Sequence, residues 1–311
     1  MTYRKLDTGE KTLIISLSGG VDSMVFLYLC IHYKSNKNPL FKFGIVHINW
    51  NQRNESKQEA DFLLKYADEH NVLSYFENIE NLFRNEHREL FESQGKDIRF
   101  NLYKQLTHDW NGDSVFLGHH KGDIVENVFT NMIHGNHFLA LGKMRTESNI
   151  NNVRIVRPFL EIHKSDIYDV AFQCNIPFLK DTTPVGSNRG TLRNTIFPLI
   201  REQFGKGFET GLLNMSHKSS EIGDMIQECI IRPYMDKVKY MDKQIQLPYE
   251  KSYPYIFYEI IFEKIMYSIE QPKLRNKTLK SWHNYITSVK GEQQKSYTVR
   301  PNCNLLLNDN V

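Results

Sequence analysis

The sequence predicts an α/β protein built on a doubly wound parallel sheet, followed by a smaller, mainly helical C-terminal region. Short apolar runs alternate with stretches of helical periodicity from about residue 13 to residue 190, the pattern of strands buried between helices. A glycine turn follows the first apolar run, at the edge where such sheets bind ligands. From about Thr191 the pattern is mainly helical. We therefore expect two domains, residues 1–205 and 206–311.

Composition narrows the class of protein. The 311 residues are 40% hydrophobic and 24% charged, which is ordinary for a globular chain and excludes a disordered one. No apolar run reaches membrane-spanning length and the N-terminus lacks the apolar core of a signal peptide, so we expect a cytoplasmic protein without a membrane partner. The cysteines are scattered and form no C-x-x-C pair, which indicates neither a zinc knuckle nor a disulfide framework.

The first strand and its turn carry the most specific pattern. Residues 13–17 are mostly apolar, and apolar side chains recur at helical spacing from Val21 onward. The turn at residues 18–20 therefore leads into a helix N-terminus, whose free N–H groups attract anions, and its glycines let an anion approach closely. This indicates a phosphate-binding loop, although the lysine of a Walker loop is missing. The alternative is an ordinary junction in which Asp22 or Ser23 interacts with the helix dipole.

The later elements continue the alternation. Strands are predicted at residues 41–50, 72–76, 114–120 and 153–160. Helices are predicted at residues 56–70, 81–109, 123–135 and 165–174. A capping box of Ser56 and Glu59 is expected to open the first of these helices, and Gly95 to interrupt the second. Because parallel strands bring their carboxyl ends to one edge, residues that follow the strands are expected to share one site.

A second charged stretch, residues 118–129, lies at that edge. His119 and His120 are predicted to end a strand, while Asp123 and Glu126 begin a helix. Two carboxylates there suit Mg²⁺ on ATP phosphates or the ammonium group of an amino acid. The alternative is structural, since Asp123 followed three residues later by Glu126 is also a helix N-cap pair.

The glycine turn resembles the S-G-G-x-D-S pyrophosphate loop of the N-type ATP pyrophosphatases. Those enzymes cleave ATP between its α and β phosphates and adenylate a carbonyl oxygen of the substrate. The resemblance implies an adenine-nucleotide alpha-hydrolase-like fold, with ATP and Mg²⁺ as cofactors. The residues that it implies for ATP binding are Ser18, Gly19, Gly20, Val21, Asp22 and Ser23.

Further runs are similar to the tRNA(Ile)-lysidine synthetase family. The family's H-H-x-D-D-x-x-E-T run is matched at His119, His120, Asp123 and Glu126, with departures at Gly122 and Asn127. Its H-x-[DN]-H-x-x-R-x-x-S run is matched at His47, Asn49, Arg53 and Ser56, with Trp50 where a second histidine is usual. Its R-x-x-R-[YF], R-P-L-L and D-P-[ST]-N-to-R-N-x-[IV] runs are matched in part at Arg99, Phe100, Arg157, Pro158, Leu160, Asp181, Thr183, Arg193, Asn194 and Ile196, with Pro184 as a departure.

This second resemblance implies a function and a set of residues. The family attaches lysine to the wobble cytidine of a tRNA with a CAU anticodon, so the implied partners are that tRNA and free L-lysine, with a homodimer left open. The implied catalytic residues are Asp22, Asp123, Glu126 and Arg193. Residues implied for nucleotide binding beyond the glycine turn are His47, Arg99 and His119, and those implied for metal binding are Asp22 and Asp123.

Three rival functions remain at this point. A tRNA thiolase also adenylates a base oxygen, but many thiolases use paired cysteines, whereas this chain scatters Cys30, Cys174, Cys229 and Cys303. A glutamine- or ammonia-using synthetase of the same superfamily is the second, although nothing in the sequence marks a glutaminase domain. A relative that binds nucleotide and tRNA without catalysis is the third. The charge is uneven: residues 231–311 carry 13 Lys and Arg against 8 Asp and Glu, which suggests that the C-terminal region is a tRNA-binding module or a solvated lysine-rich surface.

Overall fold

The computed structural model describes residues 11–51, 55–79, 88–180, 187–205, 207–241, 245–250, 252–269, 271–288, 295–300 and 303–307. They form two compact units. The first comprises residues up to 136 together with 140–217, and the second comprises 137–139 together with the chain from 218. The predicted domain boundary at residue 205 stays a prediction.

The first unit is built on a six-stranded sheet. Its strands are β1 (Thr12–Ser16), β2 (Phe43–Asn49), β3 (Leu73–Asn78), β4 (Gly112–Phe116), β5 (Glu147–Ile150) and β6 (Val153–Val156). Their order is β3-β2-β1-β4-β6-β5, and every neighbouring pair is parallel except β5 with β6. The predicted doubly wound parallel sheet is confirmed.

The edge strand β5 is absent from the predicted elements. It pairs with β6 as a hairpin whose two turn residues, Asn151 and Asn152, have φ of 50° and 61°. Two left-handed residues are what a tight type I′ hairpin needs, and asparagine tolerates that conformation better than most residues. The Asn-Asn pair was therefore a local signal for this turn.

The helices of the first unit flank the sheet. They are α1 (Val21–Asn36), α2 (Ser56–Glu69), α3 (Arg88–Asp109), α4 (Lys121–Ile133), α5 (Lys164–Gln173), α6 (Asn188–Thr191) and α7 (Phe197–Phe204). A π-helical turn, Leu192–Ile196, joins the last two into one continuous helix. Two local predictions were wrong: Ser56 lies inside α2, which has no side-chain cap, and α3 continues through a buried Gly95.

Both faces of the sheet are buried. Ile15 packs with residues of α1, α2 and α5, whereas its neighbour Ile14 packs with α3 on the opposite face. Successive strand side chains point to opposite faces, so a strand covered on both sides is apolar throughout. This explains the mostly apolar run that precedes the glycine turn.

The second unit is mainly helical, as predicted. Its elements are the end of α8 (Gly207–Ile226), a π-helical turn (Gln227–Ile231), α9 (Arg232–Met235), β7 (Lys239–Tyr240), β8 (Ile245–Gln246), α10 (Tyr255–Ser268), α11 (Asn276–Ser288), β9 (Lys295–Arg300) and β10 (Cys303–Leu307). An aromatic core holds it together, in which Tyr258 is 1% and Trp282 4% exposed. Among the described helices of the chain, none combines the length and apolarity of a membrane span.

The two glycines between β1 and α1 differ in their backbone. Gly19 has a φ of +84°, and a Cβ there would lie 2.5 Å from Leu179 Cδ1. Gly20 has a φ of −68°, and a Cβ there would lie 3.5 Å from its nearest neighbour, Ser18 Oγ. Only Gly19 is required by the fold, because a side chain there is both strained and crowded.

We predict that Gly19→Ala destabilises the protein by about 2 kcal/mol, from left-handed strain and displacement of Leu179. Gly20→Ala is the matched control and is expected to change stability by less than about 0.5 kcal/mol. Urea unfolding followed by circular dichroism measures both. Equal midpoints for the two variants would contradict the assignment.

Candidate active site

The residues after β1 form a closed turn, which we call the glycine loop (residues 18–23). Ser23 Oγ donates to the Gly20 carbonyl at 3.0 Å and accepts from the Ser18 N–H at 3.2 Å. The Ser18 hydroxyl lies 3.1 Å from the same oxygen. Ser23 is 4% exposed, so it fastens the loop from inside. The first N–H groups of α1 have no carbonyl one turn earlier to bond, which makes the loop a place for an anion.

Asp22 carries the charge of the glycine loop. Its carboxylate accepts from Lys164 Nζ, at 2.7 Å to Oδ1 and 2.5 Å to Oδ2. Lys164 is the first residue of α5, and its ammonium also lies 5.4 Å from the centre of the Tyr168 ring. Sequence reasoning missed this lysine, because nothing in its neighbourhood marks a partner 142 residues away.

The loop after β4 brings the second charged stretch against the first. A Cβ at Gly118 would lie 3.1 Å from Asp22 Cβ and from the Ser23 nitrogen, so this glycine allows the close approach. The strand itself ends at Phe116, and His120 is the N-cap of α4. His120 Nδ1 accepts from the Gly122 N–H at 3.0 Å.

Asp123 is therefore not the N-cap that the sequence suggested. It lies at the third helical position, where its Oδ2 accepts from the His120 N–H at 2.9 Å and completes a capping box. Asp123 thus has a structural role. One carboxylate oxygen serves it, and the other remains for charged partners.

Two arginines pair with the two carboxylates of α4. Arg189 donates to Asp123 Oδ1 and to Glu126 Oε2, each at 3.0 Å. Arg193 donates to Asp123 Oδ1 and Glu126 Oε2 at 3.2 Å, and its Nε donates to Glu126 Oε1. We call these four residues the carboxylate cluster. The acids are buried, with side chains 7% and 6% exposed, whereas the arginines are 52% and 31% exposed.

The arginines are placed by their helix. Ser187 caps α6 by accepting from the Gly190 N–H at 3.0 Å, and the π-helical turn follows at once. Extra turns of this kind often occur at functional sites. The sequence identified Arg193 but missed Arg189. The four-residue spacing of the two arginines on one helix was the available signal.

The cluster sets the charge of Asp123. Burial raises the pKa of its carboxyl, but His120, the His120 N–H and Arg189 lower it more, so the net pKa lies below the ordinary value. Its ionisation therefore stabilises the fold above the ordinary carboxyl pKa. That contribution is lost as the pH falls through the folded-state pKa.

Other predicted residues lie elsewhere in the first unit. His47 is buried and its Nδ1 donates to the Leu17 carbonyl at 2.8 Å, just before the glycine loop, and burial lowers its pKa. Arg99 lies on α3 with Cζ 5.6 Å from the centre of the Trp50 ring. The described contacts bring neither into the carboxylate cluster, and their roles in nucleotide binding stay predictions. Arg53, Asp181, Thr183 and Pro184 lie outside the described residues.

The donors for a metal are few. Within the described part of the chain, no group of three His, Cys, Asp or Glu side chains could hold a metal ion. Asp22 is paired with Lys164, and Asp123 with the two arginines. The prediction that these two aspartates bind Mg²⁺ stays a prediction.

Comparison with a protein-family model agrees with this arrangement of loop and sheet. The model described as a PP-loop domain matches residues 2–200. The chain belongs to the PP-loop domain family. The glycine loop is the segment that carried the resemblance to the pyrophosphatases, so that part of the sequence analysis is confirmed.

Several curated proteins are similar to this PP-loop chain in sequence. One named tRNA(Ile)-lysidine synthase, from Chlamydia felis, is 27% identical over 245 residues, covering 78% of this chain and 74% of the relative. Another of that name, from Chlamydia trachomatis serovar L2, is 26% identical over 252 residues, covering 80% and 76%. The predicted resemblance to the lysidine synthetases is confirmed.

A solved structure shares the fold. The U34-tRNA thiolase NcsA from Methanococcus maripaludis, with its 4Fe-4S cluster, superposes with a TM-score of 0.53 at 18% identity, covering 71% of this chain and 73% of the thiolase. Similarity at that level concerns the fold alone.

We predict that Arg193→Met lowers the free energy of unfolding by about 2 kcal/mol, because it leaves the buried Glu126 without its main partner. The loss is smaller than for a fully buried ion pair, because Arg193 is partly exposed. Arg154→Met is the control. Arg154 pairs with Asp113 and Glu147 but is 46% exposed, so we expect a loss below about 1 kcal/mol. Urea unfolding at pH 7 measures both variants. A loss at Arg154 as large as that at Arg193 would contradict the assignment of Glu126 as a buried charge.

Proposed function

We propose that this protein attaches L-lysine to the wobble cytidine of a tRNA with a CAU anticodon, using ATP and releasing AMP and pyrophosphate. One observation carries the proposal: the glycine loop and the start of α4 meet at one edge of the sheet. Gly118 approaches Asp22, and the charges that act on His120 include Asp22, Lys164 and Arg193. The names of the curated relatives support the same reaction.

The reaction has two steps. The C2 oxygen of cytosine is a poor leaving group, so it first attacks the α-phosphorus of ATP, forming an O–P bond and releasing pyrophosphate. An amine of lysine then attacks C2 and loses a proton, and AMP leaves with the oxygen. Negative charge develops on phosphate oxygens in both steps, so fixed N–H groups and cations stabilise both transition states.

The glycine loop is the pyrophosphate site in this proposal. The N–H groups of Val21 and Asp22 belong to the first turn of α1, and the side of Gly20 that a Cβ would occupy is open. A Walker loop carries a lysine within the loop itself. In this chain Lys164 supplies the cation from a different element, α5. The pairing of Lys164 with Asp22 holds that cation beside the loop.

Asp22 also fits Mg²⁺. Carboxylate oxygens are ligands that this ion prefers, and it is usually held by one or two of them together with phosphates. The Asp22 side chain is 23% exposed and reaches solvent beside the loop. Mg²⁺ supplies charge neutralisation on the phosphates when bound. Asp123 fits less well, because its side chain is 7% exposed and its oxygens accept from a backbone N–H and two guanidinium groups, whereas Asp22 accepts from the single ammonium of Lys164, which can turn to a phosphate when the ion binds.

We assign the carboxylate cluster to lysine and phosphate together. Two carboxylates and two guanidinium groups make a cluster of zero net charge. An incoming lysine ammonium gains most from Asp123 and Glu126 if a guanidinium turns toward a phosphate of the nucleotide. Arg189, with its side chain 52% exposed, is the freer of the two to do so.

The test is direct transfer of lysine. We expect the full chain, incubated with ATP, labelled lysine and a tRNA transcript bearing CAU, to label the tRNA covalently and release pyrophosphate. Gly20→Val is expected to lower transfer about a hundredfold or more, because its branched Cβ occupies the open side of the loop and costs roughly 3 kcal/mol of phosphate binding. Gly211→Val is the matched control, since no atom lies within 4 Å of a Cβ there.

The rival functions give different results in the same assay. Transfer of sulfur from a persulfide donor, without transfer of lysine, would select a thiolase. Binding of ATP and tRNA without pyrophosphate release would select the non-catalytic relative. Normal lysine transfer by Gly20→Val would remove the glycine loop from the mechanism.

The second unit offers a surface for the tRNA. The amphipathic helix α11 buries Leu279 and Trp282 and exposes Lys277 and Lys280 on its other side. No described carboxylate lies within ion-pair distance of either lysine. Two neighbouring cations of this kind suit phosphate contacts, which carry much of the affinity for nucleic acids.

We predict that the double variant Lys277→Glu, Lys280→Glu weakens tRNA binding about tenfold or more and reduces the slope of log K against log salt by roughly 2, because two phosphate contacts are lost. Filter binding across a salt series measures it.

The matched control is Lys37→Glu, Lys104→Glu, which changes the net charge equally. Those lysines are exposed near the C-terminal ends of α1 and α3, at the edge of the sheet opposite the glycine loop. Equal losses of tRNA binding in the two double variants would show that the effect comes from net charge alone. That result would contradict a binding surface on α11.

A further inference from the structure

A buried arginine lies behind the first histidine of the α4 loop. Arg157 follows β6 and is 5% exposed. Its Nη1 donates to the Arg145 carbonyl and to Ser148 Oγ, each at 2.8 Å. Its Nε donates to His119 Nδ1 at 3.1 Å. The guanidinium therefore donates one hydrogen bond to a carbonyl oxygen, one to a hydroxyl and one to an imidazole.

The direction of the last bond follows from chemistry. A guanidinium has only N–H donors and no acceptor, so the nitrogen that faces Arg157 Nε must offer its lone pair. His119 Nδ1 is consequently unprotonated. A neutral imidazole carries its single proton on the other nitrogen, so His119 is the Nε2–H tautomer.

The surroundings oppose a second proton on this ring. The pKa of His119 is lowered to about 4, chiefly by burial; Arg157, Arg189 and His120 act in the same direction and Asp123 in the opposite one. Protonation would also place an N–H against the Arg157 N–H. At neutral pH the ring therefore has one donor, at Nε2, and its acceptor is already engaged.

We propose that Arg157 is a positioning residue that holds His119 in the Nε2–H form, so that His119 donates a fixed hydrogen bond to a phosphate oxygen of the bound nucleotide and takes no part in proton transfer. The identity of the nucleotide as ATP rests on the proposed function. The tautomer rests only on the contacts of Arg157.

The first test uses the unmodified full chain. Long-range ¹H–¹⁵N correlation spectra at pH 7 distinguish the two nitrogens of each histidine ring, and His119→Gln assigns the signals of His119. We expect an unprotonated Nδ1 and a protonated Nε2. An Nδ1–H tautomer, or a doubly protonated ring, would overturn the proposal without reference to any activity.

The same spectra test the contact with phosphate. Addition of ATP is expected to shift the ¹⁵N resonance of His119 Nε2, whereas adenosine, which lacks phosphates, is expected to leave it in place. Equal responses to ATP and adenosine would overturn the phosphate contact. A failed lysine assay with this response intact would reject only the proposed function.

Two substitutions of His119 provide a matched pair. Glutamine places an amide N–H near the position of Nε2, and asparagine places its amide near Nδ1. We expect His119→Gln to keep at least about tenfold more ATP–pyrophosphate exchange than His119→Asn. The opposite order would overturn the role of Nε2–H as donor.

Arg157→Gln completes the set, because its amide can still donate to Nδ1 without a charge. Where this variant retains the unfolding midpoint of the parent, we expect the Nε2–H form to predominate, with a raised pKa of His119.

Arg157→Met removes the donor and is expected to populate both tautomers. If Arg157→Met does not fold, the spectra of the unmodified chain and of Arg157→Gln still decide the proposal. An unchanged single tautomer in a folded Arg157→Met protein would show that Arg157 does not set it.

Discussion

Burial of two carboxylates at the start of α4 constrains the whole candidate site. Asp123 and Glu126 have side chains only 7% and 6% exposed, and isolated charges at such positions are very costly. Their compensation comes from Arg189 and Arg193, more than sixty residues later in the chain. The helix that carries the arginines must therefore dock against α4, and this contact fixes one wall of the site. A ligand that pairs with one of these four charged groups also changes the electrostatic compensation of the other three.

The position of the glycine loop depends on close backbone approach. Gly19 adopts a left-handed conformation against Leu179, and Gly118 lets the loop after β4 reach Asp22. The approach of Gly118 thus places the glycine loop beside the cap of α4, while the contact with Leu179 packs the loop against the segment after α5. The N–H groups at the start of α1, a buried pair of acids and His119 consequently share one edge, which is the edge where doubly wound sheets place their ligands.

Most of this framework could be predicted from local sequence. The apolar strands and the glycine turn follow from spacing within about twenty residues, as does the placement of Asp123 and Glu126 on one helix. The partners of these residues could not be predicted in the same way. Lys164 lies 142 residues from Asp22, and Arg157 lies 38 from His119. Such pairs depend on which strands become neighbours. The local pattern was also wrong about the helix cap, because the N-cap of α4 is His120 and not Asp123.

Two departures from the family pattern have a physical explanation in the contacts of this chain. Gly122 replaces an acidic residue of the family run, yet its N–H donates to His120 Nδ1, and a Cβ there would lie 2.8 Å from His120 Cε1. In this chain the His120 ring folds over position 122, so a side chain would displace the cap of α4. Trp50, in place of a histidine, presents its ring to Arg99, an attraction that a neutral imidazole provides less well. Each of these two substitutions is matched by a neighbouring contact that uses it. Each departure therefore has a structural reason in this chain, so neither counts against the proposed function.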